Sequence, residues 1–195
     1  MLPFFQGEDM EDFQPQLTPE RPTLLRRALR WLGEAVETIL PAVLIALLIN
    51  LFLAQATRVQ GQSMEPNLHA NQRLVVEKIS YHFHEPRRGD VVVLKRPQRG
   101  SELLIKRVIG LPGERVEIRD GQVYINGCPL EEPYLTQPPR RDYGPVVVPP
   151  GHVFVLGDNR GFSNDSRAFG PVPLENIVGR ALFSYWPPDE IGPVE

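Results

Sequence analysis

The stretch Leu103-Leu104-Ile105-Lys106-Arg107-Val108-Ile109 sets five apolar residues, three of them β-branched, around two adjacent cations. It is short for a helix, and its composition reads as a buried β-strand. Strand side chains alternate between faces, so Lys106 shares a face with Leu104 and Val108, while Arg107 points with Leu103, Ile105 and Ile109. A lysine on an apolar face ordinarily snorkels its ammonium to water. Buried without a paired carboxylate, its ammonium form is disfavoured, its pKa falls, and a neutral amine becomes available as a base. Arginine stays charged and cannot take that part.

Outward from this strand the β pattern continues. Arg73 to Ile79, Val91 to Lys95, Arg115 to Ile118, Val153 to Leu156 and Ile177 to Tyr185 are rich in β-branched residues, and Asp120-Gly121 and Asn126-Gly127 bracket Gln122 to Ile125 as hairpin turns. The 21 prolines of the 195-residue chain lack a backbone donor and favour loops and strand edges over long helices. Pro133 to Pro150 reads as a long connecting loop. The chain is expected to be mainly β after residue 58, with enough length there for a substantial core. A formal net charge of −3 offers no basic surface for phosphate neutralisation, and nucleic acid is not an expected partner. The single cysteine, Cys128, excludes an internal disulfide and cysteine-rich zinc sites, and reads as a turn residue.

The N-terminal third differs. Residues 1–22 carry Glu8, Asp9, Glu11, Asp12 and Glu20 among prolines, a composition that reads as a disordered acidic tail. Residues 23–57 form the expected juxtamembrane and transmembrane helix. Within them, the uncharged 20-residue run from Thr38 to Thr57 would span roughly 30 Å as a helix, about the thickness of a bilayer core. A cleavable signal peptide would have a shorter apolar region nearer the start. Arg26, Arg27 and Arg30 precede the run, against Arg58 alone close behind it, which predicts a single-pass protein with a cytoplasmic N-terminus. Residues 58–195 then lie on the outer face, periplasmic, extracellular or lumenal.

Directly after the run comes Val59-Gln60-Gly61-Gln62-Ser63-Met64-Glu65-Pro66. Gly61 permits a close backbone approach and Pro66 restricts what precedes it, so the turn can hold the Ser63 hydroxyl out for attack. A serine needs a base, because its free hydroxyl is barely ionised near neutral pH; Lys106 is the candidate. A third cluster, Gly157-Asp158-Asn159-Arg160-Gly161-Phe162-Ser163-Asn164-Asp165-Ser166-Arg167, follows a hydrophobic strand. It reads either as a solvated loop or as a buried ion-pair lattice in which Ser163 or Ser166 orients the lysine.

Taken together, these motifs resemble the type I signal peptidases, or leader peptidases, from the membrane span to about Arg180. Four signatures occur in order: Gly61 to Pro66, Arg88 to Val93, Lys106 to Glu114, and Gly157 to Arg167. The resemblance implies a coiled antiparallel β-sheet or β-barrel-like catalytic domain behind one N-terminal transmembrane helix. It implies Ser63 as nucleophile, Lys106 as general base, and Ser163 as the hydroxyl that holds the lysine. Arg107, Asp158, Arg160, Asp165 and Arg167 would be the scaffold, and Met64 and Pro66 would shape the substrate cleft. The Ser63 backbone N–H would be one oxyanion-hole donor. Some members supply a second from a serine two positions earlier, where this chain has Gly61. Substrates would be preprotein signal peptides with small residues at −1 and −3 (the Ala-x-Ala pattern), the other partner the lipid bilayer, the enzyme a monomer without cofactor or metal.

Other readings of the same residues exist. A Ser/His/Asp hydrolase could use Ser63 with His152 and Asp158 or Asp165. His69, His82 and His84 could bind a metal, with His82 and His84 on one strand face. A membrane-tethered β-rich binding module without chemistry would need Lys106 exposed and charged.

Overall fold

Strand alternation, cross-strand pairing and one apolar helix account for the architecture of the chain, whose computed structural model describes residues 24–48, 54–97 and 102–194. The acidic tail expected over residues 1–22 lies outside them. Helix α1 (Leu24–Leu48) contains Pro41. Its segment Trp31–Leu48 has a mean hydropathy of 1.7 and is long and apolar enough to cross a membrane. Leu40, Leu44 and Leu47 are all exposed. A helix with this composition and length is suited to hydrocarbon.

The apolar run departs from expectation at its far end. Residues 49–53 lie outside the described set, and Ala54 to Thr57, read from sequence as the last turn of the helix, instead belong to strand β1 (Ala54–Arg58). β1 pairs antiparallel with β2 (Arg73–Glu77), from Ala54 opposite Glu77 to Arg58 opposite Arg73. Ala-Gln-Ala-Thr is the least apolar part of the run, and β2 satisfies its backbone groups as well as a helix would.

The remaining elements are α2 (Ser80–Phe83), β3 (Val91–Lys95), β4 (Leu103–Gly110), β5 (Arg115–Arg119), β6 (Gln122–Ile125), β7 (Cys128–Pro129), β8 (Tyr143–Val147), β9 (His152–Leu156), α3 (Ser166–Phe169), β10 (Val172–Pro173), β11 (Ile177–Trp186) and β12 (Gly192–Pro193). The larger sheet runs β1-β2-β11-β3-β4-β9-β10, with β12 beside β11; the smaller runs β7-β6-β5-β8. Every described pairing is antiparallel. β1 and β4 are separated by three strands, yet Thr57 and Arg58 wall the same cleft as Leu104 to Lys106. The larger sheet therefore curls on itself, and the protein is mainly β.

β3 and β4 are buried on both faces, which is why they read as continuous apolar runs. Val91, Val93 and Ile105 join the core around Val59, Met64, Leu68, Leu74 and Val76. Val92, Leu94 and Val108 join a second core with Val153, Val155 and Val172. A third packs Ile109, Phe154 and Leu156 against the smaller sheet through Val116, Ile118, Val123 and Ile125.

Two further expectations are corrected. The stretch Pro133 to Pro150 is not wholly a loop: β8 lies within it, pairing Arg115 with Val147 and Val116 with Val146. Gly144 and Pro145 disguised it, and proline is tolerated there because β8 is an edge strand. His82 and His84 do not share a strand face, because Ser80–Phe83 is a single helical turn and His84 is its C-cap. Their ring nitrogens bond to the carbonyls of Lys78 and Glu85.

Candidate active site

Between β1 and β2 the chain makes a loop closed at its base by Val59 N–H to the Gln72 carbonyl (2.8 Å) and Asn71 N–H to the Val59 carbonyl (2.9 Å). Met64 and Leu68, which are 1% and 4% exposed, anchor the loop in the core. Between the base and this anchor the chain passes through Gly61 at φ 77°, a left-handed conformation glycine adopts without a Cβ penalty. Ser63 follows, half-buried, with its carbonyl accepting from Asn159 N–H at 3.0 Å.

Lys106 reaches this serine from β4. Its Nζ lies 2.7 Å from Ser63 Oγ and donates to the Ile105 carbonyl at 2.8 Å. The residue is 2% exposed, and no carboxylate of the described residues pairs with Nζ. Burial pushes its pKa down to about 8, the carboxylates of Asp165, Asp158 and Glu102 opposing the shift more weakly. The pair opens into a cleft of about 350 Å³ walled by Thr57, Arg58 and Gln60 on one side and by Glu102 to Ile105 on the other.

Behind the pair, the loop after β9 forms a buried ion lattice rather than a solvated turn. Arg107 grips Asp158 through two hydrogen bonds, Nε to Oδ1 at 2.9 Å and an Nη to Oδ2 at 2.7 Å, and stacks 4.0 Å from the centre of the Tyr134 ring. Arg160 binds both oxygens of Glu132 at 2.6 and 3.0 Å. Arg167 binds both oxygens of Asp165 at 2.8 Å, and Asp165 also caps α3. Gly157 joins two of these pairs, its N–H donating to Asp165 Oδ2 and its carbonyl accepting from Arg160 Nε, each at 3.1 Å. A Cβ at Gly157 would collide with both the Ser63 carbonyl oxygen and Ser163 Oγ. This glycine thus sets how closely the lattice loop approaches the serine.

The sequence-predicted residues are not all brought together. Arg107, Asp158, Arg160, Asp165 and Arg167 share one hydrogen-bonded lattice, and the Ser63–Lys106 pair adjoins it where Asn159 N–H donates to the Ser63 carbonyl. Ser163 stands beside Gly157, but its Oγ is buried without a hydrogen-bond partner and makes no bond to Lys106. Met64 lies in the core, and Pro66 is exposed; neither lines the cleft. Gly61 has open space where a side chain would be. His152 bonds through Nδ1 to the Pro150 carbonyl, and Asp158 and Asp165 are occupied by arginines, so neither carboxylate bonds to a histidine. His69 pairs with Glu190 at 3.3 Å.

Sequence reading missed Glu132, Tyr134, Asn67 and the role of Gly157. Asn67 Nδ2 donates to Asp158 Oδ2 (2.8 Å) and to the Tyr134 carbonyl (2.9 Å), tying the serine loop to the lattice. Glu132 and Tyr134 sit at the start of the proline-rich stretch with no local pattern to mark them. The signal for Asn67 was its place four residues after Ser63, on the same turn.

The profile described as signal peptidase, peptidase S26, matches residues 32–186. The chain is thus a peptidase, and it belongs to the signal peptidase family S26. It is similar to signal peptidase I of Leptolyngbya laminosa, with 47% identity over 186 residues, 91% of this chain and 92% of the relative. A probable signal peptidase I-1 of Synechocystis is 44% identical over 84% of this chain and 87% of its own length. A thylakoidal processing peptidase of Arabidopsis thaliana is 37% identical over 82% of this chain and 50% of that protein.

Proposed function

We propose that the chain is a membrane-anchored serine endopeptidase that removes N-terminal signal peptides from exported preproteins, with Ser63 as nucleophile and Lys106 as general base. The observation that carries this reading is the 2.7 Å approach of Lys106 Nζ to Ser63 Oγ in a site where burial lowers the lysine pKa to about 8. When Lys106 is neutral, the hydrogen bond reverses and the serine hydroxyl donates to Nζ. Lys106 takes that proton as Ser63 attacks the scissile carbonyl, returns it to the leaving amine, and then activates a water that releases the acyl-enzyme. The Ser63 N–H is one donor to the oxyanion. The second is a backbone N–H of the same loop, since Gly61 has no side chain to offer.

Arg107, Asp158, Arg160, Asp165 and Arg167 hold the Lys106 strand and the Ser63 loop together, and the buried Ser163 hydroxyl, without another hydrogen-bond partner, is available to orient the lysine amine. The cleft between Thr57 and Leu104 takes an extended peptide with small residues at −1 and −3, and strand-edge hydrogen bonds hold it whatever its other side chains. The acidic tail, the helix and the β domain form the three parts of the chain, the β domain beginning at β1. Arg26, Arg27 and Arg30 support a cytoplasmic N-terminus with the β domain on the outer face. The helix confines enzyme and substrate to one membrane and raises their effective concentration. The enzyme acts as a monomer without a cofactor.

The deciding experiment incubates the detergent-solubilised full chain with a preprotein and reads the cut site by mass spectrometry. Cleavage after Ala-x-Ala, abolished by Ser63→Ala and by Lys106→Ala and retained by His152→Ala, is expected. An active Lys106→Ala enzyme would overturn the reading.

A further inference from the structure

Lys106 and Arg107 are neighbours on β4 and leave it on opposite faces. Lys106 reaches Ser63. Arg107 holds two groups instead: the Asp158 carboxylate, through Nε and an Nη, and the Tyr134 ring, over which its guanidinium lies at 4.0 Å. Tyr134 is held a second time by its hydroxyl, which donates to Glu132 Oε1 at 2.7 Å, and Glu132 is in turn bound by Arg160. Asp158 and Tyr134 are thus both fixed, and both accept from one side chain of the serine loop. Asn67 Nδ2 donates to Asp158 Oδ2 at 2.8 Å and to the Tyr134 carbonyl at 2.9 Å. A primary amide has two N–H donors, and this one spends both.

Little chain lies between this amide and the nucleophile. Leu68 N–H donates to the Met64 carbonyl at 2.9 Å, a single turn that fixes Asn67 relative to Ser63. A ring of contacts therefore closes: Ser63 to Lys106 through the hydroxyl, Lys106 to Arg107 along β4, Arg107 to Asp158, Asp158 to Asn67, and Asn67 back to Ser63 through the turn. Met64 and Leu68 also fasten the turn, but apolar packing is non-directional and leaves the height of Ser63 over Lys106 to the polar links. Asn67 itself is exposed, so it directs the loop more than it supports the core. It is not among the residues that wall the Ser63 cleft.

Resting on the function proposed above, we infer that Asn67 is a positioning residue of the peptidase, whose two amide hydrogen bonds set the distance of Ser63 from Lys106 without touching the peptide. Reaction at a nucleophile is sensitive to misplacement on the order of 1 Å. Loss of the amide is therefore felt in kcat and not in KM. The Asn159 N–H on the Ser63 carbonyl remains when the amide is removed, which limits the loss.

The test measures steady-state cleavage of a preprotein by the detergent-solubilised full chain and by Asn67→Ala, Asn67→Leu and Asn67→Gln. Asn67→Ala should lower kcat about tenfold with KM unchanged, and Asn67→Leu, which keeps the bulk of the side chain but neither donor, should match it. Asn67→Gln retains both donors on a longer stem and should return kcat to within about threefold of the wild type. Unfolding midpoints are measured beside the kinetics. Where one falls, kcat is compared at equal distances below the midpoints; a loss that vanishes there belongs to the fold and overturns the inference. A wild-type kcat in Asn67→Ala overturns it too and leaves the peptidase reading standing, as does a loss confined to KM or one that Asn67→Gln shares in full. No cleavage by the wild type overturns both.

Discussion

Lys106 Nζ and Ser63 Oγ lie 2.7 Å apart although 43 residues of chain separate them. Neither strand alternation nor turn chemistry forces that approach. It exists because β4 is a buried inner strand of the larger sheet, and because Met64 and Leu68 fasten the serine loop into the core beside Ile105.

Activity should rise with pH. With the Lys106 pKa lowered to about 8, roughly a tenth of the enzyme carries a neutral lysine at pH 7. We expect kcat/KM for a preprotein to climb about tenfold between pH 7 and a plateau above pH 9. Lys106→Arg, charged throughout, should be inactive at every pH. A flat wild-type profile would exclude Lys106 as the base.

Stability should carry the same signature. The folded pKa of about 8 lies below the ordinary lysine value of 10.5, so between these values the unfolded chain binds a proton that the folded chain has shed. Stability contributed by this group therefore rises with pH across that window, and its burial penalty is fully present below pH 8. Lys106→Met should stabilise the protein at pH 7 by up to about 3 kcal/mol, an advantage that shrinks towards pH 10.5. Denaturation of both proteins against pH checks this; a pH-independent difference would count against it.

Arg107 and Asp158 are 3% and 0% exposed at their side chains. Asp158→Leu should cost about 3–5 kcal/mol, because it strands a buried guanidinium, and Arg107→Met strands the carboxylate in the same way. The double variant Arg107→Met/Asp158→Leu should recover most of that loss. The Tyr134 ring remains to pack the methionine. Unfolding midpoints of the two single variants and the double close the cycle.

Two glycines should respond differently to alanine. Gly157→Ala places a methyl against the Ser63 carbonyl oxygen and Ser163 Oγ. Displacing the serine loop should reduce kcat on the order of a hundredfold. Gly61→Ala meets nothing within 4 Å and pays only for its φ of 77°, about 1–2 kcal/mol of stability. Steady-state kinetics beside thermal unfolding separates the two effects.

Much of the fold could be read locally. β3 and β6 have the bounds their composition predicts, and β2, β4, β5, β9 and β11 differ by one or two residues at an end. Inner strands buried on both faces and hairpins marked by Asp-Gly and Asn-Gly leave strong signals. The misses share a cause: Ala54 to Arg58, Tyr143 to Val147 and Ser80 to Phe83 each owe their state to a neighbour. β1 is a strand because β2 accepts it, and β8 is one despite Pro145 because its outer edge needs no donor there.

For the site the division is similar. A serine on a glycine turn, a lysine in an apolar strand, and alternating Asp and Arg after β9 are each weak signals alone, and it is their order along the chain and its resemblance to signal peptidases that singled them out. Tertiary structure decided that Glu132, not another acid, receives Arg160, that Asn67 joins the serine loop to Asp158, and that Met64 belongs to the core. It also left Ser163 unpaired beside Gly157. Burial and partner choice depend on which distant segments meet, and a sheet that curls until β1 faces β4 brings together residues whose proximity no local pattern encodes.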